Sequence, residues 1–350
     1  MQPGAIPMRV VHSPRHALHD GGMELHRGEL VPCFEMPARA DFILQAVRQA
    51  GLEVSEPQAF GLESLWGVHD AGFVEFLRTA HAQWRAIGKQ GFMLPSGFPA
   101  RGMRRDHLPS GINGQMGYYA FDAGTPIVQG TWDAAFAAAQ CALTAAAWVA
   151  EGERSAYALC RPPGHHAGHS TYGGYCFLNN AALAAQHLRE RGCARVAVLD
   201  VDYHHGNGTQ DIFWERADVL VVSLHGTPET EYPYFLGYAD ERGAGAGEGF
   251  THNFPLPRGT TWAQYSAALD SALDAVARFG PDALVVSLGV DTYVGDPISA
   301  FALEREHFPL MGRRLAQLRL PTVFVQEGGY AVEDLGLNVA GVLEGFDAGR

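Results

Sequence analysis

Five short apolar runs, rich in β-branched residues, constrain this chain most: AYALC ending at Cys160, RVAVLD ending at Asp200, DVLVVSLH ending at His225, LVVSLGVD ending at Asp291 and TVFVQEGGY ending at Tyr330. Several are apolar on both faces, the pattern of strands in a parallel sheet whose two sides are covered by helices. Helical patterns separate them. Trp132 to Ala150 is Ala-rich, Asn180 to Arg191 stops at Gly192, Trp262 to Phe279 stops at Gly280 and Pro281, and Glu304 to Leu318 stops before Pro321. The alternation predicts an α/β fold in one domain over residues 1–350, with a central mostly parallel sheet and helices on both faces.

Composition sets bounds on function. With 47% apolar and 18% charged residues the chain can bury a sizeable core, and 42 glycines with 20 prolines imply many loops. A net charge of −13 argues against a non-specific grip on nucleic acid or an anionic membrane and suits a cationic ligand. No run approaches the ~18 apolar residues of a membrane helix. The start, MQPGAIPMRVVHSPRH, lacks the pattern of a secretory signal, so a cytoplasmic location is expected, with Met8 a candidate start. Cys33, Cys141, Cys160, Cys176 and Cys193 show no CxxC spacing and read as reduced thiols.

Two stretches break the pattern. From about Gln83 to Gly130 the chain is rich in Gly, Pro, Arg and aromatics without sustained periodicity, and reads as a long structured excursion serving as a lid or an oligomer contact. GAGAGEG at Gly243 to Gly249 resembles a nucleotide loop, but it leads into THNFPLP rather than a helix and reads as a mobile glycine loop.

Ionisable residues gather where an open parallel sheet places its ligands, at the C-terminal strand ends. In DVDYHHGNGTQ, Asp202 and His204 are two apart and project to one face of an extended segment. With Asp291 they form an Asp2His set that leaves a position open, which suits a catalytic Zn2+ or Fe2+. Taken singly, each would more often be a cap or a core-edge hydrogen bonder. His165 and His166 lie on a Pro-Pro-Gly turn that can aim both into one pocket. One imidazole would serve as general base, and Asp200 is the natural carboxylate to fix the tautomer of the other. Tyr330, after Gly328 and Gly329, can donate to a developing oxyanion. Asp296, before Pro297, reads as a structural turn residue.

RPPGHHAG, LDVDYHHGNGTQDIF, SLGVDTYVGDP and EGGY resemble, in order and spacing, the motifs of the histone deacetylase superfamily. The wider similarity, from Met8 to the C-terminus, is greatest to its bacterial acetylpolyamine amidohydrolases, through RGELVPCFE, VHDAGFVEFL, GQMGYY and EYPYFLGYA. The resemblance implies an arginase/deacetylase fold with long active-site loops and metal-dependent hydrolysis of an N-acetyl amide. It puts the catalytic ion on Asp202, His204 and Asp291, makes His166 the general base and later acid, and makes His165, backed by Asp200, its electrostatic partner. Asn207, at a position that varies with Asp, would sit behind His166, and Tyr330 would polarise the acetyl carbonyl. A monovalent cation, K+ or Na+, would lie near Asp200, Asp202, His204, Ser223 and Leu224, and Tyr175 and Tyr232 would flank a substrate tunnel.

The same resemblance implies a homodimer in which the excursion at about 83–130 narrows the tunnel to slender cationic chains. Glu24 stands at a position suited to a distal ammonium, whereas Asn113 and Gly124 stand where further carboxylates are expected. Short acetylated diamines, acetylputrescine or acetylcadaverine, are therefore the expected substrates. A lysine deacetylase of the same fold, an inactive amine-binding module and a ureohydrolase are the alternatives. The last would need ligands for a second metal.

Overall fold

A computed structural model describes residues 8–349. The expectations of a start at Met8 and of no secretory signal turn on residues 1–7, which lie outside the described residues. The strands are β1 (Arg9–His12), β2 (Met23–His26), β3 (Glu29–Pro32), β4 (Glu53–Ser55), β5 (Ser155–Leu159), β6 (Val196–Asp200), β7 (Val219–Gly226), β8 (Thr251–Leu256), β9 (Ala283–Leu288) and β10 (Thr322–Gln326). The α-helices are α1 (Ala38–Gln49), α2 (Ala71–Ala86), α3 (Ile112–Tyr119), α4 (Thr131–Ala150), α5 (Asn180–Glu190), α6 (Asn207–Phe213), α7 (Trp262–Phe279), α8 (His307–Ala316) and α9 (Val332–Ala348).

Eight strands form one sheet in the order β4-β1-β5-β10-β9-β6-β7-β8, every pairing parallel, while β2 and β3 make a separate antiparallel hairpin. Successive side chains of a strand point to opposite faces, and here both faces are buried. In β6, Val196 and Val198 join a core with residues of α2, α4 and α5, while Ala197 and Leu199 join the opposite core with α1, α7, α8 and α9. This is the physical origin of the two-sided apolar runs in the sequence. The helix boundaries follow local chemistry: Asp70 accepts from the Phe73 amide to cap α2, Asn179 caps α5 through the Ala182 amide, and α7 ends at Gly280 in the left-handed region. All five cysteines are unpaired thiols.

One reading gains detail and two expectations need correction. The excursion from Gln83 to Gly130 contains the end of α2, which runs to Ala86, and the short helix α3. A Cβ at Gly117 would fall 1.7 Å from the Gly97 carbonyl oxygen, so glycine is what lets the incoming arm lie against α3. The glycine loop before β8 is held rather than loose: the Ala244 amide donates to the Trp214 carbonyl, and a Cβ at Gly243 or Gly247 would strike backbone. Finally, α4 is long and apolar enough by length and composition to cross a bilayer, although most of that helix is buried in the core.

Candidate active site

The order β5-β10-β9-β6 makes neighbours of four strands that are far apart in sequence, so the segments leaving their C-terminal ends converge. β6 delivers Asp202 and His204, β9 delivers Asp291, β5 delivers His165 and His166, and β10 delivers Tyr330. One ligand atom from each of Asp202, His204 and Asp291 lies within 4.8 Å of the others, and both carboxylates are fully buried. The geometry of DVDYHH differs from the expected extended segment, since β6 ends at Asp200 and the residues beyond it bend. Hydrogen bonds to the backbone impose the shared direction. The Asp202 amide donates to Asp200 Oδ1 (3.1 Å), the His204 amide to Asp202 Oδ1 (2.8 Å) and the Tyr203 amide to Asp291 Oδ1 (2.8 Å).

The donor set fits a metal ion. His204 Nδ1 lies 2.9 Å from Asp291 Oδ2 and 3.5 Å from Asp202 Oδ1. Burial, followed by the neighbouring Asp202 carboxylate, pushes Asp291 up to about 7, the signature of negative charge packed without enough positive charge to answer it. Space is kept by glycine: a Cβ at Gly289 or Gly328 would stand 1.9 or 2.5 Å from Asp202 Oδ2. Two carboxylates and one imidazole suit Zn2+ or Fe2+.

The tandem histidines, 4.1 Å apart between ring centroids, have opposite electrostatics. Burial disfavours the charged form of both. At His165 this is outweighed by the Asp202 and Asp200 carboxylates, the latter 2.9 Å from Nδ1, and the imidazolium persists up to about 10. At His166 burial is reinforced by the charges on His165 and His204, which drive its pKa well below the ordinary value. His166 Nδ1 lies 2.6 Å from Asn207 Oδ1, an acceptor, so Nδ1 carries the proton and Nε2 presents a lone pair. Their surroundings thus push the two imidazoles in opposite directions, His165 toward the charged form and His166 toward the neutral one.

Tyr330 is buried, and burial raises its phenol well above the usual value, so it stays a neutral O–H donor. It lines a cavity of about 350 Å³ that also reaches His166 and His204. Tyr175 and Tyr232 also line it. The Tyr175 hydroxyl donates to Glu24 Oε1 (2.8 Å) and the Tyr232 hydroxyl to Asp122 Oδ2 (2.7 Å). Ser223 pairs with Asp200 in the β6–β7 register, and Leu224 follows it on β7.

Asp122 was not singled out by the sequence, which directed attention to Gly124 and Asn113. Gly124 does line the cavity, with its amide on Asp122 Oδ1 (3.1 Å), but Asn113 is an exposed residue of α3 outside it. Arg39 is a further residue without a sequence signal. Its Nε donates to the Gly329 carbonyl (2.7 Å), its Nη2 to the Glu327 carbonyl (2.7 Å), and its guanidinium lies 4.7 Å from the Tyr330 ring centroid. Glu327, visible in the sequence only as a strand-end carboxylate, accepts from the Gly164 and His165 amides and so shapes the turn carrying both histidines. Asp296 does make the turn contact expected of it, from the Ile298 amide, but it also accepts from the Tyr330 amide.

Comparison with known proteins agrees with this geometry. The family model described as the histone deacetylase domain matches residues 33–346. The chain is 56% identical over 342 residues to acetylpolyamine amidohydrolase 1 of Pseudomonas aeruginosa, covering 97% of this chain and 99% of the relative. It is 50% identical over 339 residues to acetylpolyamine amidohydrolase of Mycoplana ramosa, covering 97% and 99%. The crystal structure of acetylpolyamine aminohydrolase from Burkholderia pseudomallei superposes with a TM-score of 0.94 at 43% identity, covering 98% of this chain and 99% of that one. These likenesses also imply a metal cofactor and a hydrolase with deacetylase chemistry. The four strand-end motifs, their convergence on one buried centre and the near full-length match lead to one assignment: this chain belongs to the histone deacetylase family.

Proposed function

We propose that the protein removes the acetyl group from N-acetylated polyamines, with short acetylated diamines such as acetylputrescine and acetylcadaverine as preferred substrates. One observation carries this reading: the cavity that ends at His166, His204 and Tyr330 is lined by three carboxylates, Glu24, Asp122 and Glu231, the last paired with Arg258, and the lining arginine, Arg27, is exposed. Such walls favour a slender chain bearing a cation at its far end.

Asp202, His204 and Asp291 would hold Zn2+, or Fe2+ in its place. When bound, that ion supplies Lewis acidity, which acidifies water and polarises the acetyl carbonyl. His166 Nε2 takes the proton from the attacking water and returns it to the departing amine nitrogen. His165, kept cationic by Asp200 and Asp202, opposes the build-up of positive charge on His166 and keeps that imidazole a ready proton donor. The Tyr330 hydroxyl donates to the carbonyl oxygen as negative charge develops on it. Asp200, Ser223 and Leu224, with Asp202 and His204, would seat K+ or Na+ beneath this floor. The excursion at about 83–130 would mediate a homodimer and narrow the tunnel.

The test is turnover of acetylputrescine, acetylcadaverine, acetylspermidine and an acetyl-lysine peptide by protein loaded with Zn2+ or Fe2+, with Tyr330→Phe as control. Small acetylamines should be cleaved well above peptide. Peptide preference would transfer the protein to lysine deacetylation, and binding without turnover would make it an amine-binding module.

A further inference from the structure

Tyr330 follows a diglycine, and Gly329 has φ +125°, a conformation open to glycine. The loop is not in regular structure until α9 begins at Val332. Nothing in its own sequence therefore dictates where the phenol points, and the surroundings must. Hydrogen bonds from several elements hold this loop: the Gly328 amide donates to Asp202 Oδ2 (2.8 Å), the Gly328 carbonyl accepts from the Val290 amide and from Gln326 Nε2 (both 3.2 Å), the Gly329 carbonyl accepts from Arg39 Nε (2.7 Å) and the Tyr330 amide donates to Asp296 Oδ2 (2.7 Å). The last of these acts on the backbone of Tyr330 itself. The other oxygen of the same carboxylate, Oδ1, accepts from the Ile298 amide at 3.0 Å. Ile298 and Tyr330 both line the cavity, although they arrive from different strands, β9 and β10. Asp296 is 8% exposed and does not line the cavity, so it meets its neighbours and not the substrate.

We infer that Asp296 is a positioning residue: by clamping the Tyr330 and Ile298 amides with one carboxylate, it sets the place of the phenol hydroxyl against the reacting carbonyl. The inference rests on Tyr330 being the oxyanion donor. Only a short side chain with two acceptor oxygens can make this clamp. An Asn of the same shape offers one acceptor and turns an NH2 group against the other amide, opposing donor to donor. Oxyanion donors work only within a narrow distance, and a displacement of about 1 Å in a catalytic group can cost roughly 100-fold in rate.

The experiment is a double-mutant cycle in metal-loaded protein on acetylputrescine, combining Asp296→Asn with Tyr330→Phe. In the parent, Asp296→Asn should lower kcat by roughly 10- to 100-fold with KM changed less than about 3-fold, the pattern of a defect confined to the transition state. In the Tyr330→Phe background the same substitution should change kcat by less than about 3-fold, since the hydroxyl it positions is gone. Equal losses in both backgrounds would overturn the inference. If Tyr330→Phe alone leaves kcat unchanged, the reading of Tyr330 fails instead, which is a separate outcome. Metal content and thermal unfolding are followed for each variant. If Asp296→Asn does not fold, Asp296→Ser, which keeps one acceptor in a smaller side chain, enters the same cycle. Failure of both to fold or to hold metal would assign Asp296 to the fold and overturn the positioning role.

Discussion

The floor of the site and the walls of its tunnel are built by different means. On the floor, Asp202, His204 and Asp291 sit at the ends of adjacent strands, and both carboxylates accept from backbone amides, so the sheet itself aims them. The walls come from the β2–β3 hairpin, the segment before α4 and the loops after β5 and β7, and there the backbone bonds, such as the Gly174 amide on Asp122, are joined by side-chain pairs between loops, Tyr175 on Glu24 and Tyr232 on Asp122. A backbone hydrogen bond in a buried strand-end turn tolerates little movement. A phenol–carboxylate pair between loops can be exchanged without disturbing the sheet. The floor is thus suited to invariable chemistry and the walls to choice of substrate, so substitutions on the floor should act on kcat and those on the walls on KM.

The sharpest way to break that division is to empty the floor. Chelation of the metal, or Asp291→Asn, should abolish turnover, and Zn2+ should restore it after chelation but not in the variant; activity surviving in metal-free protein, measured beside its metal content, would refute the metal role. His166→Ala should lower kcat by roughly 100- to 10,000-fold, the range for loss of a general base and acid, with KM little changed. A comparable loss of metal from that variant would show that floor and base are not separable.

On the walls, Glu24→Gln should raise KM for acetylputrescine by about 10-fold, equivalent to about 1.4 kcal/mol, and leave kcat within about 2-fold. A kcat defect as large as the KM defect would erase the contrast between the two regions. The smallest effect concerns pH. Burial pushes Glu24 up to about 7, against the hydrogen bonds it receives from Tyr175 and Phe34. Its carboxyl is therefore largely neutral at pH 6 and charged at pH 8, so KM for a cationic acetylamine should fall across that window, and Glu24→Gln should flatten the profile. The sign for stability is opposite to affinity: the folded pKa is raised, so the contribution from Glu24 is full below the unfolded value near 4.5 and is lost as pH rises through about 7.

The legibility of these two regions in the amino-acid sequence follows the same line. β5, β6, β7, β9 and β10 could be read because strands buried on both faces must be apolar at nearly every position. Trp262–Phe279 could be read because its apolar periodicity ends at a glycine in the left-handed region. The edge strand β8, THNFPL, is half polar and includes Pro255, as an edge permits, and β1 and β4 are four and three residues long, too short for a period to emerge. The candidate metal ligands and the tandem histidines were legible because each follows an apolar strand within a few residues. Asp122 and Arg39 were not, because their partners lie at separations of 52 and 110 residues for Asp122 and up to 290 for Arg39.

The order of residues by itself determined a mostly parallel sheet with helices on both faces, the strand ends where ionisable residues gather and the chemical types found there, because burial and strand periodicity are local properties written into every window of the chain. Only the tertiary structure decided that β10 and β9 lie between β5 and β6, that His165 meets Asp200 while His166 meets Asn207, and that Asp122 and Asp296 accept from the Tyr232 hydroxyl and the Tyr330 amide. Those outcomes depend on which distant groups share a buried volume. In that volume a neighbouring charge or a single backbone amide weighs more than anything in the flanking sequence.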